Sequence, residues 1–159
     1  MKIGLIGAGR LGLCLALLIE DTGHDVLASD IRPDYVKDLN EKKYNGSEPD
    51  VKYYLEKANN IEFTTDNIRV INECDIIFTL VATPSLDDGS YDVSAVWKVV
   101  EDFKTAAKEK EVFSKSLVVG CTTNPGDCDE IQDHLSINPD TFGINVFYNP
   151  EFIAQGSII

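Results

Sequence analysis

The sequence predicts an α/β fold in which a doubly wound, mostly parallel sheet carries helices on both faces. Three observations lead to this prediction. Short apolar segments alternate with amphipathic ones along the chain, a glycine-rich turn joins the first strand to the first helix, and an acid closes the second strand. Strands separated by helices pair in parallel through crossover connections, which cover both faces of the sheet. We expect one domain over residues 1–159, because this length suits a single core.

The first four elements follow from short apolar runs and one proline. Lys2–Ile6 and Asp25–Ser29 are largely apolar segments of strand length. Arg10–Asp21, between them, is predicted as a helix that is apolar over most of its surface. Pro33–Lys43 is predicted as a second helix, because Pro33 suits a first helical turn and the apolar residues that follow share one face.

The next four elements are short. Val51–Ala58 is predicted as a helix and Ile61–Thr64 as a strand. Asn67–Asn72 is predicted as a helical turn. Asp75–Val81 (DIIFTLV) has the continuous apolar character of a strand that is buried on both faces.

A long helix and three further elements complete the predicted sheet. Val93–Lys110 carries apolar side chains at the i, i+3, i+4 and i+7 spacing of a helix packed on one face. Ser116–Cys121 is predicted as a strand, Asp127–Leu135 as a helix and Ile144–Tyr148 as the last strand. Three strand aromatics are assigned to the core: Phe63, Phe78 and Phe147.

The composition argues against several kinds of partner. Asp and Glu number 27 against 14 Lys and Arg, so the formal net charge is −13. This charge repels nucleic acids and anionic membrane surfaces, and we expect neither as a partner. No apolar run approaches the ~18 residues of a membrane span. A phosphorylated ligand therefore needs a local feature that overcomes the overall repulsion.

The cysteines and histidines predict neither a metal site nor a disulfide framework. The four cysteines contain no CxxC pair, and the two histidines are too few and too scattered for a zinc site. The chain begins with a strand and a glycine turn, without the features of a signal peptide. A reducing, cytoplasmic setting is therefore expected.

The strongest local signal is a GxGxxG turn (GAGRLG) directly between a strand and a helix, the arrangement of a Rossmann-type, NAD(P)-binding unit. Gly7 permits the tight turn, Gly9 lets a pyrophosphate approach the backbone, and Gly12 lets the helix pack close to the strand. The helix N-terminus adds N–H groups and a partial positive charge. We assign Arg10 and Leu11, within the turn, to the same cofactor site, Arg10 as a cationic contact.

An acid follows the second strand at the position where such units bind the adenosine ribose. Asp30 closes that strand, and a carboxylate there accepts hydrogen bonds from the ribose hydroxyls and repels a 2′-phosphate. This favours NAD over NADP. Arg32, two residues later, weakens the preference because an arginine can hold a 2′-phosphate. The competing interpretation is a glycine turn that binds nothing and a solvated strand-end acid.

Three later segments, taken with the glycine turn, resemble the UDP-glucose/GDP-mannose 6-dehydrogenase family. Val81–Pro84 (VATP), followed by Asp88–Asp92 (DGSYD), resembles the family's V-x-TP…DG…D loop. Cys121–Gly126 (CTTNPG) is similar to STVPPG, and Asn149–Gly156 (NPEFIAQG) to NPEFLxEG. The four motifs occur in the family's order, and the resemblance extends over essentially the whole chain.

The resemblance implies a function and a set of site residues. Family members oxidise the C6 alcohol of a nucleotide sugar to a carboxylate with two NAD⁺, through a cysteine thioester. By resemblance, Val81, Thr83 and Thr122 line the cofactor cleft, and the Thr122 hydroxyl holds a water near the nicotinamide. Glu151 orients water or acts as general base, and Gln155 contacts the cofactor. All lie at or beyond predicted carboxyl ends of strands, where open α/β sheets bind ligands.

The chain departs from the family pattern at three positions. Cys121 replaces the family's serine and Asn124 its first proline, so the loop around Thr122 can differ in shape. Gln155 replaces the second glutamate of NPEFLxEG, and an amide cannot titrate. Glu151 is then the one candidate base in that motif.

The family's nucleophilic cysteine, its lysine and most of its sugar-nucleotide pocket lie in its middle and C-terminal parts. None of the four cysteines stands in the family's cysteine motif. The apolar end at Ile158 and Ile159 is interpreted as a cut in a longer sheet. We expect this chain to bind NAD without turnover. The nucleotide sugar is not specified, and a homodimer stays open.

Two other interpretations are compatible with the first half of the chain. A stand-alone dinucleotide-sensing module, like the regulatory domains of potassium channels and transporters, uses the same glycine turn and acid. Such a module has no need for the Thr122 loop or the Asn149–Gly156 segment. A dehydrogenase of the 6-phosphogluconate or hydroxyacyl-CoA type also shares the first half, but it lacks the NPEF motif.

Overall fold

The computed structural model describes residues 1–46, 48–109, 114–141, 143–152 and 158–159. Within these ranges six strands form one sheet: β1 (Lys2–Ile6), β2 (Asp25–Ser29), β3 (Ile61–Thr64), β4 (Ile76–Thr79), β5 (Ser116–Val119) and β6 (Asn145–Tyr148). Six helices connect them: α1 (Arg10–Asp21), α2 (Pro33–Asn40), α3 (Val51–Lys57), α4 (Asn67–Glu73), α5 (Ser94–Glu109) and α6 (Asp127–Ile137).

All strand pairs are parallel, and the strand order is β3-β2-β1-β4-β5-β6. The order reverses beside β1, where Ile6 pairs with Ser29 of β2 on one side and Thr79 of β4 on the other. Loops leaving β1 and β4 then run to opposite faces of the sheet, which opens a crevice at the carboxyl ends of the strands. The doubly wound α/β prediction is confirmed.

Two apolar layers hold the helices on the sheet. One layer joins α1, α2 and α3 to the strands through side chains such as Leu13, Leu39 and Leu55, which are at most 2% exposed. The other joins α4, α5 and α6, with Phe103 and Leu135 fully buried. Burying a side chain of this size contributes about 1.5–3 kcal/mol. Both faces are therefore covered, as the continuous apolar strands predict.

Several predicted boundaries are wrong by two or three residues. The second helix ends at Asn40 instead of Lys43, because Lys42 adopts a left-handed backbone conformation (φ 56°) that stops the helix. The fourth strand ends at Thr79 instead of Val81, since the next residues turn toward the glycine loop. The predicted turn at Asn67 is a helix, and the Asp66 carboxylate caps it by accepting from the Arg69 N–H.

Phe147 was assigned to the core, and this assignment is wrong. Its side chain is 51% exposed because β6 is the outer strand of the described sheet. Helix α6 covers the other face of β6, where the Gln132 side chain accepts a hydrogen bond from Val146 N–H at 2.8 Å. Phe63, by contrast, is buried, and Phe78 is half-buried against the first apolar layer.

A cluster of ion pairs joins the amino ends of β1 and β3 to α4. Arg69 makes two hydrogen bonds to Glu62, at 2.5 and 2.8 Å, and one to Glu73 at 2.8 Å. Glu73 also pairs with Lys2. These cations lower the pKa of both glutamates through hydrogen bonding. Each side chain is a third or more exposed, so each pair contributes at most about 1 kcal/mol.

Glu73→Gln tests this cluster. The glutamate pKa is lower in the folded state than in the unfolded state, so its stabilisation is present above about pH 4.3 and disappears as the pH falls through the folded value. We expect the substitution to lower the free energy of unfolding by at most about 1 kcal/mol at pH 7. The difference from the unsubstituted chain should shrink as the pH falls below about 4.3 and through the folded value.

Urea denaturation measures the free energy of unfolding of both proteins at pH 7 and at pH 3. Asp133→Asn is the matched control, since Asp133 is exposed on α6 and has no ion pair with any residue that the structure describes. An equal loss for the two variants at pH 7 would contradict the assignment.

Candidate functional site: a dinucleotide crevice

A cavity with a volume of about 1020 Å³ lies at the carboxyl ends of β1, β2 and β4. Its walls are the glycine loop, the segment Ser29–Arg32, the segment Leu80–Ala82 and one face of α5. This volume is at the upper end of the ~300–1,000 Å³ that ligand pockets usually have. The cavity can therefore accept a ligand as long as a dinucleotide.

Backbone contacts explain two of the three glycines in the loop. Gly7 has a φ of +100°, and a Cβ there would lie 2.7 Å from the Leu80 carbonyl oxygen. A Cβ at Gly12 would lie 2.0 Å from the Gly7 carbonyl oxygen, far inside contact distance. These two glycines let β1, α1 and the β4 loop approach one another closely.

Gly9 has a different environment. A Cβ built there meets no protein atom within 4 Å, and the residue lines the cavity. Packing within the protein therefore does not explain a glycine at this position. A ligand that lies against the backbone does, because a side chain would fill the space above it. The glycine loop thus fits the pyrophosphate of a dinucleotide.

The loop is fixed in place by three hydrogen bonds. The Ser29 carbonyl accepts from Gly7 N–H at 2.9 Å and from Ala8 N–H at 2.8 Å. The Tyr35 hydroxyl donates to the Ala8 carbonyl at 2.8 Å. In α1 the Leu13 N–H is bonded to the Gly9 carbonyl at 2.8 Å, and the N–H groups before it have no acceptor within the helix. Their dipoles concentrate positive potential at the loop.

Asp30 and Arg32 both lie at the cavity, as a tight ion pair. Arg32 Nε donates to Asp30 Oδ1 at 2.8 Å, and Nη2 donates to Oδ2 at 2.9 Å. Hydrogen bonding to Asp30 raises the pKa of the Arg32 guanidinium, which also lies 4.0 Å from the ring centroid of Tyr35. The two predicted cofactor residues thus act as one unit.

The sequence analysis did not identify a hydrogen-bonded chain of three polar residues that line the cavity. Ser29 Oγ donates to Asn67 Oδ1 at 2.6 Å, and Asn67 Nδ2 donates to Asp102 Oδ2 at 2.8 Å. Asp102, on α5, is half-buried and lines the cavity. The one available signal was the position of Ser29 and Asn67 at the end of one strand and just after the next.

Val81 lies at the cavity, whereas the other predicted site residues lie around it. Thr83 and Thr122 are half-buried in the loops after β4 and β5, outside the cavity wall. The Glu151 N–H is bonded to the Gly120 carbonyl at 3.4 Å, which places Glu151 beside the end of β5. Arg10 does not line the cavity, and its Nε lies 3.7 Å from Glu48 Oε1 in an ion pair.

Two predicted site residues in α1 do not line the cavity, and one near the end of the chain is not described. Leu11 is half-buried in the first turn, and Gly12 is buried beneath the loop. Gln155 lies outside the described residues.

Asn124, one of the three departures from the family pattern, connects two loops. Its side-chain oxygen accepts from Tyr91 N–H at 2.8 Å, and its Nδ2 donates to the Tyr91 carbonyl at 3.0 Å. The Asp127 carboxylate accepts from the Asn124 N–H at 2.7 Å. The amide thus joins the loop after β4 to the loop that carries Thr122.

The four cysteines are protonated thiols at neutral pH. Desolvation raises the pKa of Cys14, Cys74 and Cys121 to about 11 and also raises that of Cys128. A thiol is a poor nucleophile compared with its thiolate.

Among the residues that the structure describes, no group of three potential ligand side chains could hold a metal ion. In the same part of the chain, no helix has the length and apolar character needed to cross a membrane.

Comparison with known proteins decides the family. The model of the "UDP-glucose/GDP-mannose dehydrogenase family, NAD binding domain" matches residues 1–159. The chain belongs to this family. Its members are NAD-dependent nucleotide-sugar dehydrogenases, so the predicted resemblance and the predicted cofactor, NAD, are confirmed.

Curated relatives match along the whole chain. A putative UDP-glucose 6-dehydrogenase of Bacillus subtilis, YtcA, is 28% identical over 162 residues, which cover 100% of this chain and 36% of the relative. The UDP-glucose 6-dehydrogenase AglM of Haloferax volcanii is 30% identical over 165 residues, covering 100% and 38%. The chain thus spans little more than a third of the length of these relatives.

Solved structures share the fold. A GDP-mannose dehydrogenase of Pseudomonas aeruginosa, crystallised as a ternary complex, superposes with a TM-score of 0.86 at 25% identity, covering 98% of this chain and 37% of that one. A UDP-glucose dehydrogenase of Pyrobaculum islandicum gives 0.87 at 25% identity, covering 99% and 37%. This family member therefore has the sheet and crevice of a nucleotide-sugar dehydrogenase.

Gly9→Ala and Gly12→Ala separate binding from folding. A Cβ at Gly9 meets no protein atom, so we expect a loss of less than about 1 kcal/mol in the free energy of unfolding. NAD⁺ affinity should fall by about tenfold or more, because the methyl group occupies the space above the loop. A Cβ at Gly12 clashes with the Gly7 carbonyl, so that variant should lose about 3 kcal/mol of stability.

Urea denaturation and calorimetric titration of both variants with NAD⁺ measure the two effects. Equal binding of NAD⁺ by Gly9→Ala and the unsubstituted chain would show that the cofactor does not lie against this loop.

Proposed function

We propose that this chain is the NAD-binding part of a nucleotide-sugar 6-dehydrogenase that oxidises a C6 alcohol to a carboxylate with two NAD⁺. The observation that carries the proposal is the space above Gly9, at the N-terminus of α1 and beside Asp30. The family membership of the chain supplies the class of reaction. Bound NAD would supply the hydride acceptor, and the residues of this chain hold and orient it.

The residues that would hold NAD lie along the crevice. The pyrophosphate fits the first-turn N–H groups of α1, which offset the −13 charge of the chain locally. The adenosine ribose fits the carboxylate of Asp30, which is 9% exposed at the cavity wall. Val81, beyond β4, provides apolar surface on the other side of the glycine loop. Binding and orientation are thus divided among three strand ends.

Thr122 and Glu151 are proposed for the reaction itself. They follow the ends of β5, which pairs with β4, and of β6, which pairs with β5, so their loops lie on the same edge of the sheet as the crevice. The Thr122 hydroxyl would hold a water near the nicotinamide, and the Glu151 carboxylate would orient water or accept a proton. Asn124 supports this arrangement because it fixes the Thr122 loop to Tyr91.

The nucleophile and the sugar-nucleotide pocket are proposed to belong to other parts of a longer protein. Neutral thiols at all four cysteines support this division, and so does the coverage of 36–38% of the curated relatives. Residues 1–159 alone should then bind NAD without turnover. A homodimer and a cytoplasmic location remain predictions for the complete enzyme, and its substrate is proposed as a nucleotide sugar.

Calorimetry with NAD⁺ and NADP⁺ tests the binding function. We expect a dissociation constant for NAD⁺ below about 1 mM, the upper end of common Michaelis constants. NADP⁺ should bind at least about tenfold more weakly, because its 2′-phosphate meets the Asp30 carboxylate. Absence of binding for both dinucleotides at millimolar concentration would refute the proposal.

Substitution of Thr122 and Glu151 tests the class of protein. In the complete reading frame that contains this chain, Glu151→Gln should lower kcat by about 10²-fold or more, the usual contribution of a general base. Thr122→Ala should also lower kcat. Glu130→Gln is the matched control, because Glu130 is exposed on α6. This substitution should leave kcat unchanged.

NAD⁺ affinity should stay within about threefold in Glu151→Gln, because this group acts on the reaction and not on binding, and in the Glu130→Gln control. A dinucleotide-sensing module would behave differently, since it would keep its full ligand response in every variant and show no turnover to lose.

A further inference from the structure

Asp30 and Arg32 leave a defined number of free hydrogen-bonding positions. Asp30 Oδ1 accepts from Arg32 Nε at 2.8 Å and from Arg32 N–H at 3.1 Å, and Oδ2 accepts from Nη2 at 2.9 Å. A carboxylate has about four acceptor positions, so the described residues leave about one, on Oδ2. Arg32 uses two of its five side-chain N–H groups on Asp30, and no other hydrogen bond from its side chain to a described residue occupies the remaining three.

The Tyr35 ring also fixes the position of the Arg32 guanidinium. The guanidinium lies 4.0 Å from the ring centroid of Tyr35, and the Tyr35 hydroxyl is bonded to the Ala8 carbonyl of the glycine loop. The Asp30 side chain is 8% exposed and the Arg32 side chain 56% exposed. Arg32 therefore sits over the carboxylate on the open side of the cavity, in a position set by the glycine loop.

We propose that the Asp30–Arg32 pair recognises the adenosine ribose diol as a unit, and that the ion pair keeps Arg32 from binding a 2′-phosphate. The proposal rests on the proposed function, since it concerns the ribose of bound NAD. One ribose hydroxyl donates to the free position on Asp30 Oδ2, and the other accepts from the guanidinium. Arg32 is then a specificity-determining residue whose effect depends on its neighbour.

The charges explain why the pair excludes NADP. A 2′-phosphate dianion would lie against the Asp30 carboxylate, and it could bind Arg32 fully only after two charge-assisted hydrogen bonds to Asp30 break. A neutral amide at position 30 removes both obstacles. The freed guanidinium, still stacked on Tyr35, would present its planar donors to the phosphate. A single substitution should therefore convert the site to NADP binding.

Calorimetric titration of four variants with NAD⁺ and with NADP⁺ tests this proposal. For Asp30→Asn we expect NADP⁺ affinity to rise about tenfold or more and NAD⁺ affinity to fall, since each charged hydrogen bond contributes about 1.5–3 kcal/mol. Arg32→Ala should weaken NAD⁺ without improving NADP⁺. The double variant Asp30→Asn/Arg32→Ala should lose the gain in NADP⁺ affinity.

Asp34→Asn is the matched control, because it makes the same change in charge at an exposed position of the same segment. It should alter both affinities by less than about twofold, as expected for a screened surface charge. Thermal unfolding of each variant checks the fold. Asp30→Ser serves if the asparagine variant does not fold, since a hydroxyl can also accept from the Arg32 N–H.

The outcomes separate the two proposals. An unsubstituted chain that binds neither dinucleotide refutes the proposed function and this inference with it. An unsubstituted chain that binds NAD⁺, with position-30 variants that gain no NADP⁺ affinity, refutes this inference alone. A double variant that retains the gain also refutes it, because another cation at the cavity, such as Lys98, would then hold the phosphate.

Discussion

The close approach of the first helix to the first strand is the constraint on which the rest of the site depends. It requires a hydrogen atom in place of a side chain at Gly12, where a Cβ would lie 2.0 Å from the Gly7 carbonyl. The same approach seats the loop under the Ser29 carbonyl, which accepts from both Gly7 and Ala8. The first turn of α1 then begins directly after Gly9, which lines the crevice. A dinucleotide site follows from packing before any ligand contact is considered.

Local charge placement overcomes the overall charge of the chain. The protein carries a formal charge of −13, which by itself disfavours a ligand with two phosphates. The helix N-terminus supplies positive potential within a few ångströms, and Arg32 adds a positive charge close to the cavity. The Asp30 carboxylate beside Arg32 cancels that charge at longer distances. Such short-range features dominate, because salt screens exposed charges beyond about 8–10 Å.

The departures from the family pattern have structural consequences that differ from one position to the next. Asn124 replaces a proline, and its amide makes two hydrogen bonds to Tyr91 that a proline ring could not make. Cys121, in place of serine, is a half-buried thiol whose pKa is raised by desolvation, so it adds little polarity near Thr122. The loop that carries Thr122 is thus held by side-chain bonds to its neighbour rather than by ring rigidity.

The sequence by itself determined the alternation of strands and helices, the glycine turn, the acid at position 30 and the family motifs, because these depend on local periodicity and short spacings. The tertiary structure decided which side chains meet. It paired Asp30 with Arg32, connected Ser29 to Asp102 through Asn67, and left Phe147 exposed on an outer strand. Contacts between residues 35 or more positions apart depend on how crossover helices return to the sheet, and side-chain direction at a strand end depends on its neighbours. Neither property is encoded in a short window of sequence.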